Sequence, residues 1–154
     1  MKIVEFLNEK AVSGNIEATD KEGSIRELVD LLAKAEGIRN KEELVKSLIN
    51  RETLGSTGIG QGVGIPHAKT NAVKRLVAAF GISHQGVSFD ALDGEPVYIF
   101  FLLVAPEDSA GPHLKGLARI SRLLKDKFFR ESLKALTDEK AIIKLIREED
   151  AKKP

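Results

Sequence analysis

The 154-residue chain reads as a single-domain α/β sandwich, a mixed β-sheet covered by helices on both faces. Three observations predict it. The apolar runs Leu76 to Ile82 and Val97 to Val104 lack polar alternation, so each reads as a strand buried on both sides. Segments with apolar residues at helical spacing precede and follow these runs and can cover the sheet. No repeat, low-complexity tract or linker divides the chain, so one domain is expected over residues 1–148, with Glu149 to Pro154 fraying as a tail.

In chain order, Thr19-Asp20-Lys21-Glu22 has capping-box spacing ahead of Ile25, Leu28, Val29 and Leu32, and Gly37 supplies a stop. A second helix opens near Asn40, with Glu43 three residues on. It carries Leu44, Val45, Leu48 and Ile49 and ends close to Arg51-Glu52, which puts Arg51 beside the glycine-rich segment that follows. Asp93-Gly94 marks a turn between the two strands. After the loop Ala105 to His113, Pro112 suits the first turn of a helix through Leu114, Leu117, Ile120, Ser121 and Leu124, so His113 falls at a helix N-terminus. Phe128 to Leu136 and Asp138 to Glu148 read as two more short helices, the second with Ile142, Ile143, Leu145 and Ile146 on its apolar side. Strand order is not legible from these patterns.

Composition narrows the function classes. With 24 Lys+Arg against 23 Asp+Glu the formal charge is +1, which provides no overall field for nucleic acid or an anionic membrane. The chain has no cysteine, which excludes disulfides, thiolate metal sites, iron–sulfur clusters and thiol nucleophiles. The start MKIVEFLNEK is too charged for a signal peptide, and no run reaches the length of a membrane span. A cytoplasmic protein without membrane insertion is the expectation.

The chemistry concentrates between Gly55 and His67. Glycines at 55, 58, 60, 62 and 64 let main-chain N–H groups turn toward an anion. Pro66 fixes its own φ and holds Ile65 extended, so the segment presents the imidazole of His67. The amides around Gly58, Gly60 and Gly62 and the hydroxyl of Thr57 are the candidate donors here. Of the other histidines, His84 in Ser83-His84-Gln85-Gly86 reads as a turn residue. His113, among the free N–H groups of a helix start, is either a neutral imidazole able to donate to an anion or merely a solvated helix end. Competing sites fit poorly. The glycines match neither G-x-G-x-x-G nor a P-loop, and no histidine pair has metal-ligand spacing. A serine triad lacks G-x-S-x-G. No cofactor and no metal is called for.

The run Arg51-Glu52-Thr53-Leu54-Gly55-Ser56-Thr57-Gly58-Ile59-Gly60-Gln61-Gly62-Val63-Gly64-Ile65-Pro66-His67-Ala68-Lys69 resembles the signature of the fructose/mannitol-type enzyme IIA domain of the bacterial phosphoenolpyruvate:sugar phosphotransferase system, shared by its nitrogen-regulatory relatives. The similarity continues through Val104-Ala105-Pro106 to His113-Leu114 and Leu117-Ala118, from about Ile3 to Ile146. Gly64 departs from the family's common alanine and loosens the backbone before the proline. The resemblance implies a phosphocarrier in which His67 accepts a phosphoryl group from an HPr-type phosphohistidine and passes it to a IIB partner, or uses it as a regulatory switch. It implies that the amides around Gly58, Gly60 and Gly62 and the Thr57 hydroxyl donate to phosphoryl oxygens. It implies His113 as a phosphoryl-contacting donor and Arg51 as a charge-assisted clamp; Lys69 is a lesser candidate, since exposed lysines are usually just solvated.

Docking partners call for a shallow apolar patch, to which Ile59 and Val63 belong unless they are core. Two function classes remain open, a transport component for a sugar such as fructose or mannitol and a nitrogen-type regulatory protein. The chain as given carries no fused IIB, HPr or membrane segment, which favours the regulatory branch. A third class is a binding module that holds a ligand phosphate without transferring it.

Overall fold

The apolar runs form the middle of the sheet. In the computed structural model, which describes residues 1–154, they are β5 (Val77–Val87) and β6 (Val97–Ala105), paired antiparallel from Val77↔Val104 to Val87↔Val97 with an irregularity between Ile82 and Val87. β1 (Leu7–Ser13) lies parallel to β5 at one edge. On the other side of β6, β3 (Val63–Gly64) and β4 (His67–Lys69) pair with it in parallel, one beyond the other, and β2 (Gly58–Gly60) folds antiparallel onto β3. The sheet is therefore mixed, with six strands in the order β1-β5-β6-β3-β2 and β4 continuing alongside β6.

Residues of β6 alternate between two separate cores, as the period of a strand requires. Phe100, Leu102 and Val104 face a core roofed by α1 (Lys21–Glu36) and α2 (Lys41–Thr53). Ile99, Phe101 and Leu103 face a core built with α3 (Ala110–Leu124), α4 (Lys127–Lys134) and α5 (Glu139–Lys152). Each fully buried Leu, Ile or Phe contributes about 1.5–3 kcal/mol by leaving water, so these two layers hold the strand ends that carry the site.

The local signals translate with some differences. Asp20, not Thr19, caps α1: its carboxylate accepts the Gly23 amide at 2.8 Å, and Gly37 ends the helix at φ 75°. Asn40 caps α2 as expected from its spacing to Glu43. β1 carries no sequence signal of its own, because Glu9 and Lys10 of this edge strand are exposed and only Ala11 and Val12 are buried. His84 is not in a turn; it lies within β5, with Nε2 2.9 Å from the Gly14 carbonyl.

The expected frayed tail is also corrected, since α5 runs past Glu148 to Lys152. Asp150 is 1% exposed and receives Arg119 at 2.7 Å, while Lys2 donates to the Asp150 carbonyl at 2.8 Å. A buried ion pair that also anchors the first residues holds this end in place.

Candidate active site

Three chain segments meet at one end of the sheet. Parallel pairing aligns His67 with Leu103, so β4 delivers the imidazole at the end of β6 just before the loop leading to α3. α2 brings Arg51 in its last turn, with Nη1 donating to the Gly55 carbonyl at 3.0 Å. α3 brings His113 at the end of its first turn. The helix comes close to the sheet because Gly116 has no side chain: a Cβ there would lie 3.1 Å from Leu76 and 3.2 Å from Leu103. His113 is buried, and its ring centroid lies 5.4 Å from that of His67 at an interplanar angle of 52°. A cavity of about 460 Å³ opens between these elements, lined by Arg51, His67, Lys69 and His113 and by the apolar Leu54, Leu114 and Leu117.

Hydrogen bonding sets the state of His67. Its Nδ1 is 2.7 Å from the Ile65 carbonyl oxygen, which can only accept, so Nδ1 carries the proton and Nε2 keeps the free lone pair. Burial, opposed by that hydrogen bond and helped by the Arg51 charge, lowers the pKa of the ring. His113 is pushed down to about 4, first by burial and then by the charges of His67 and Lys69. Both imidazoles are thus neutral near pH 7. The Nε2 of His113 is buried without a hydrogen-bond partner, an imbalance that costs the fold and that a ligand oxygen would relieve. A neutral nucleophile, a guanidinium, an ammonium and an unpaired imidazole nitrogen around one cavity suit an anionic electrophile.

Not all of the sequence-predicted donors arrive here. Arg51, His67 and His113 come together, and Lys69 joins them. Thr57, Gly58, Gly60 and Gly62 do not line the cavity. Thr57 is 3% exposed, and both its amide and its hydroxyl donate to Glu52. The Gly58 amide donates to Ser56 Oγ at 3.0 Å. A Cβ on Gly58 would stand 2.9 Å from Ala91, whereas Gly60 and Gly62 take φ +97° and +78° around the hairpin turn. These residues shape a tight hairpin rather than an amide cradle facing His67. His113 does not sit among free N–H groups as its place at a helix start suggested, because α3 opens at Ala110 and the His113 amide already donates to the Ser109 carbonyl at 3.1 Å.

Ile59 and Val63 divide: Ile59 is 46% exposed, but away from the cavity, and Val63 is core. The apolar rim of the site is instead Leu54, 83% exposed, and Leu114, 66% exposed. A large apolar residue directly after a helix end and another directly after His113 were the available signals. Glu52 was missed as well, since nothing in a Glu next to an Arg announces a buried carboxylate.

Comparison with known proteins places this geometry. Residues 5–149 match the family described as "Phosphoenolpyruvate-dependent sugar phosphotransferase system, EIIA 2". The chain is 40% identical over 150 residues to the PTS system fructose-specific EIIABC component of Bacillus subtilis, covering 97% of this chain and 24% of that protein. It therefore spans about a quarter of that relative. It is 34% identical over 146 residues to a nitrogen regulatory protein of Bradyrhizobium diazoefficiens, covering 95% of each. The crystal structure of nitrogen regulatory protein IIA-Ntr from Neisseria meningitidis superposes with a TM-score of 0.84 at 34% identity, over 92% of this chain and 97% of that one. Family match, relatives and fold agree over nearly the whole length, and the chain belongs to the EIIA type 2 family of phosphotransferase-system components.

Proposed function

We propose that His67 is the phosphoryl acceptor and that the protein relays a phosphoryl group between partner proteins. The observation that carries this reading is the Nδ1 contact to Ile65, which leaves Nε2 as the nucleophile, in a cationic cavity that His113, with its unpaired ring nitrogen, also lines. Nε2 attacks the phosphorus of a donor phosphohistidine of the HPr type. The new P–N bond forms as the donor's P–N bond breaks, and that electron pair returns to the donor ring. Nδ1 keeps its proton on the Ile65 carbonyl, so the phosphorylated ring is cationic and departs readily when the next acceptor attacks.

Such transfer asks a protein chiefly for positioning and for charge around the equatorial oxygens. Arg51 and Lys69 supply the charge, and His113 Nε2 donates one hydrogen bond that exists only when the phosphoryl is present. Leu54 and Leu114 form the apolar rim on which a partner docks and from which it leaves. In the cytoplasm, where this reading places the protein, the onward acceptor is a IIB partner if it serves sugar transport or a regulatory target if it serves the nitrogen branch. The first is supported by 40% identity to the fructose-specific relative, the second by 34% identity to the nitrogen regulatory protein.

The test is incubation with phosphoenolpyruvate, enzyme I and an HPr-type carrier, followed by intact-mass measurement. Wild type is expected to gain one acid-labile phosphoryl group and His67→Ala none. A label that survives acid, or one that persists in the variant, rejects the assignment. Adding a IIB domain then separates the branches, because the transport reading requires the label to move onto it.

A further inference from the structure

Glu52 lies outside the cavity yet connects to its nucleophile. The side chain is 4% exposed, at the end of α2 directly after Arg51, and its carboxylate spends both oxygens on Thr57. Oε1 accepts the Thr57 amide at 3.1 Å and Oε2 accepts the Thr57 hydroxyl. Lys21, the first residue of α1, approaches Oε1 at 3.2 Å and balances the charge. The Thr57 carbonyl in turn accepts the Ile65 amide at 3.0 Å, and the Ile65 carbonyl accepts His67 Nδ1 at 2.7 Å.

We propose that Glu52 is a positioning residue for phosphoryl transfer: by gripping Thr57 it fixes the backbone at Ile65, whose carbonyl holds His67 in the Nδ1–H form with Nε2 free. This rests on the reading of His67 as the phosphoryl acceptor. The physical argument is one of constraint. Ile65-Pro66 is pinned by main-chain hydrogen bonds at two points, the Ile65 amide to Thr57 and the Leu103 amide to the Pro66 carbonyl, each 3.0 Å, and Pro66 itself lacks an N–H. Thr57 holds the Ile65 amide, one peptide before the carbonyl, and the restriction that Pro66 places on Ile65 keeps it extended, so holding that amide limits where the Ile65 carbonyl points. Thr57 is aimed by a carboxylate fastened to α2 and α1. A histidine's tautomer follows the hydrogen bond that its other nitrogen makes, so a loosened carbonyl lets the ring populate the Nε2–H form, whose Nε2 has no lone pair to offer.

Glu52→Gln keeps the shape but offers one acceptor to two donors. Thr57→Val removes the hydroxyl, whereas Thr57→Ser retains it. In unphosphorylated protein, ring-nitrogen NMR shifts of His67 are expected to report a nearly pure Nδ1–H form in wild type and Thr57→Ser and a tautomer mixture in Glu52→Gln and Thr57→Val. The rate of acceptance from a phosphorylated HPr-type carrier is expected to fall on the order of ten- to a hundredfold in those two variants, the scale on which partners that orient a histidine act. The double variant should be no slower than the worse single one, because both break the same link.

Unaltered His67 shifts in both variants overturn the proposal, even if melting temperature falls, because Glu52 then serves the fold alone. Additive losses in the double variant overturn it too. If Glu52→Gln fails to fold, Thr57→Val against Thr57→Ser still decides. Since the tautomer is read without any phosphoryl donor, a wild type that takes no label counts against the acceptor assignment and leaves this measurement standing.

Discussion

The segment from Gly55 to Lys69 divides into two halves that use the same kind of sequence for different ends. In the first, Gly58 to Gly64, the glycines let a hairpin lie against Ala91, Asp93 and Tyr98, with Gly58 hydrogen-bonded to Ser56 and Gln61 to Asp93. In the second, Ile65 to Lys69, a single imidazole and a lysine emerge on a short strand beside the starts and ends of two helices. Glycine density thus marks where backbones must touch, and the chemistry begins where the glycines stop. The charged and imidazole groups that line the cavity come from far apart in the chain: Arg51 from α2, His67 and Lys69 from β4, His113 from α3.

If that division is right, variants in the two halves must fail differently. The larger effect belongs to the cavity. His113→Ala should still accept a label on His67, because the nucleophile is intact, but onward transfer should slow about a hundredfold, the typical loss of one preorganised donor to developing charge. Single-turnover transfer to an acceptor protein measures it; transfer at wild-type speed would confine His113 to packing. The hairpin should show the opposite pattern. Gly60→Ala puts a side chain at φ +97°, with its Cβ 3.2 Å from the Asp93 carboxylate, and should cost about 1–2 kcal/mol of stability, with the transfer rate of the folded fraction unchanged. Denaturant unfolding beside the transfer assay checks this, and a rate loss without a stability loss would return the hairpin to the site.

A third contrast is a protonation. His113 has a pKa of about 4 in the folded protein against an ordinary 6.5, so between these values the unfolded chain binds a proton that the native one does not. Stability from this group is complete above about pH 6.5 and declines as pH falls toward 4. NMR titration should show the His113 ring unprotonated through pH 6, and an ordinary midpoint would mean that its nitrogen is not desolvated.

Much of this was legible in the sequence because it rests on short-range physics. Unbroken apolar runs specify strands buried on both faces, Asn40 and Gly37 punctuate helices, and a glycine-to-proline segment presents a histidine. Strand β1 escaped because an edge strand with Glu9 and Lys10 in solvent has little apolar pattern to read. The tail was misjudged because Asp150 is polar, and its ion pair with Arg119 joins residues far apart in sequence. The Thr57 and glycine donors were misplaced for the same reason. Local flexibility can be inferred from composition, but where an amide points depends on partners such as Glu52 and Ser56 in the finished fold.

The central claim is that His67 acts through Nε2 because Ile65 occupies Nδ1. Phosphorus–nitrogen NMR couplings on the phosphorylated protein test it directly. The account predicts that phosphorus is bonded to Nε2 of His67, with Nδ1 still protonated; a phosphoryl group on Nδ1, or on any other side chain, would contradict it.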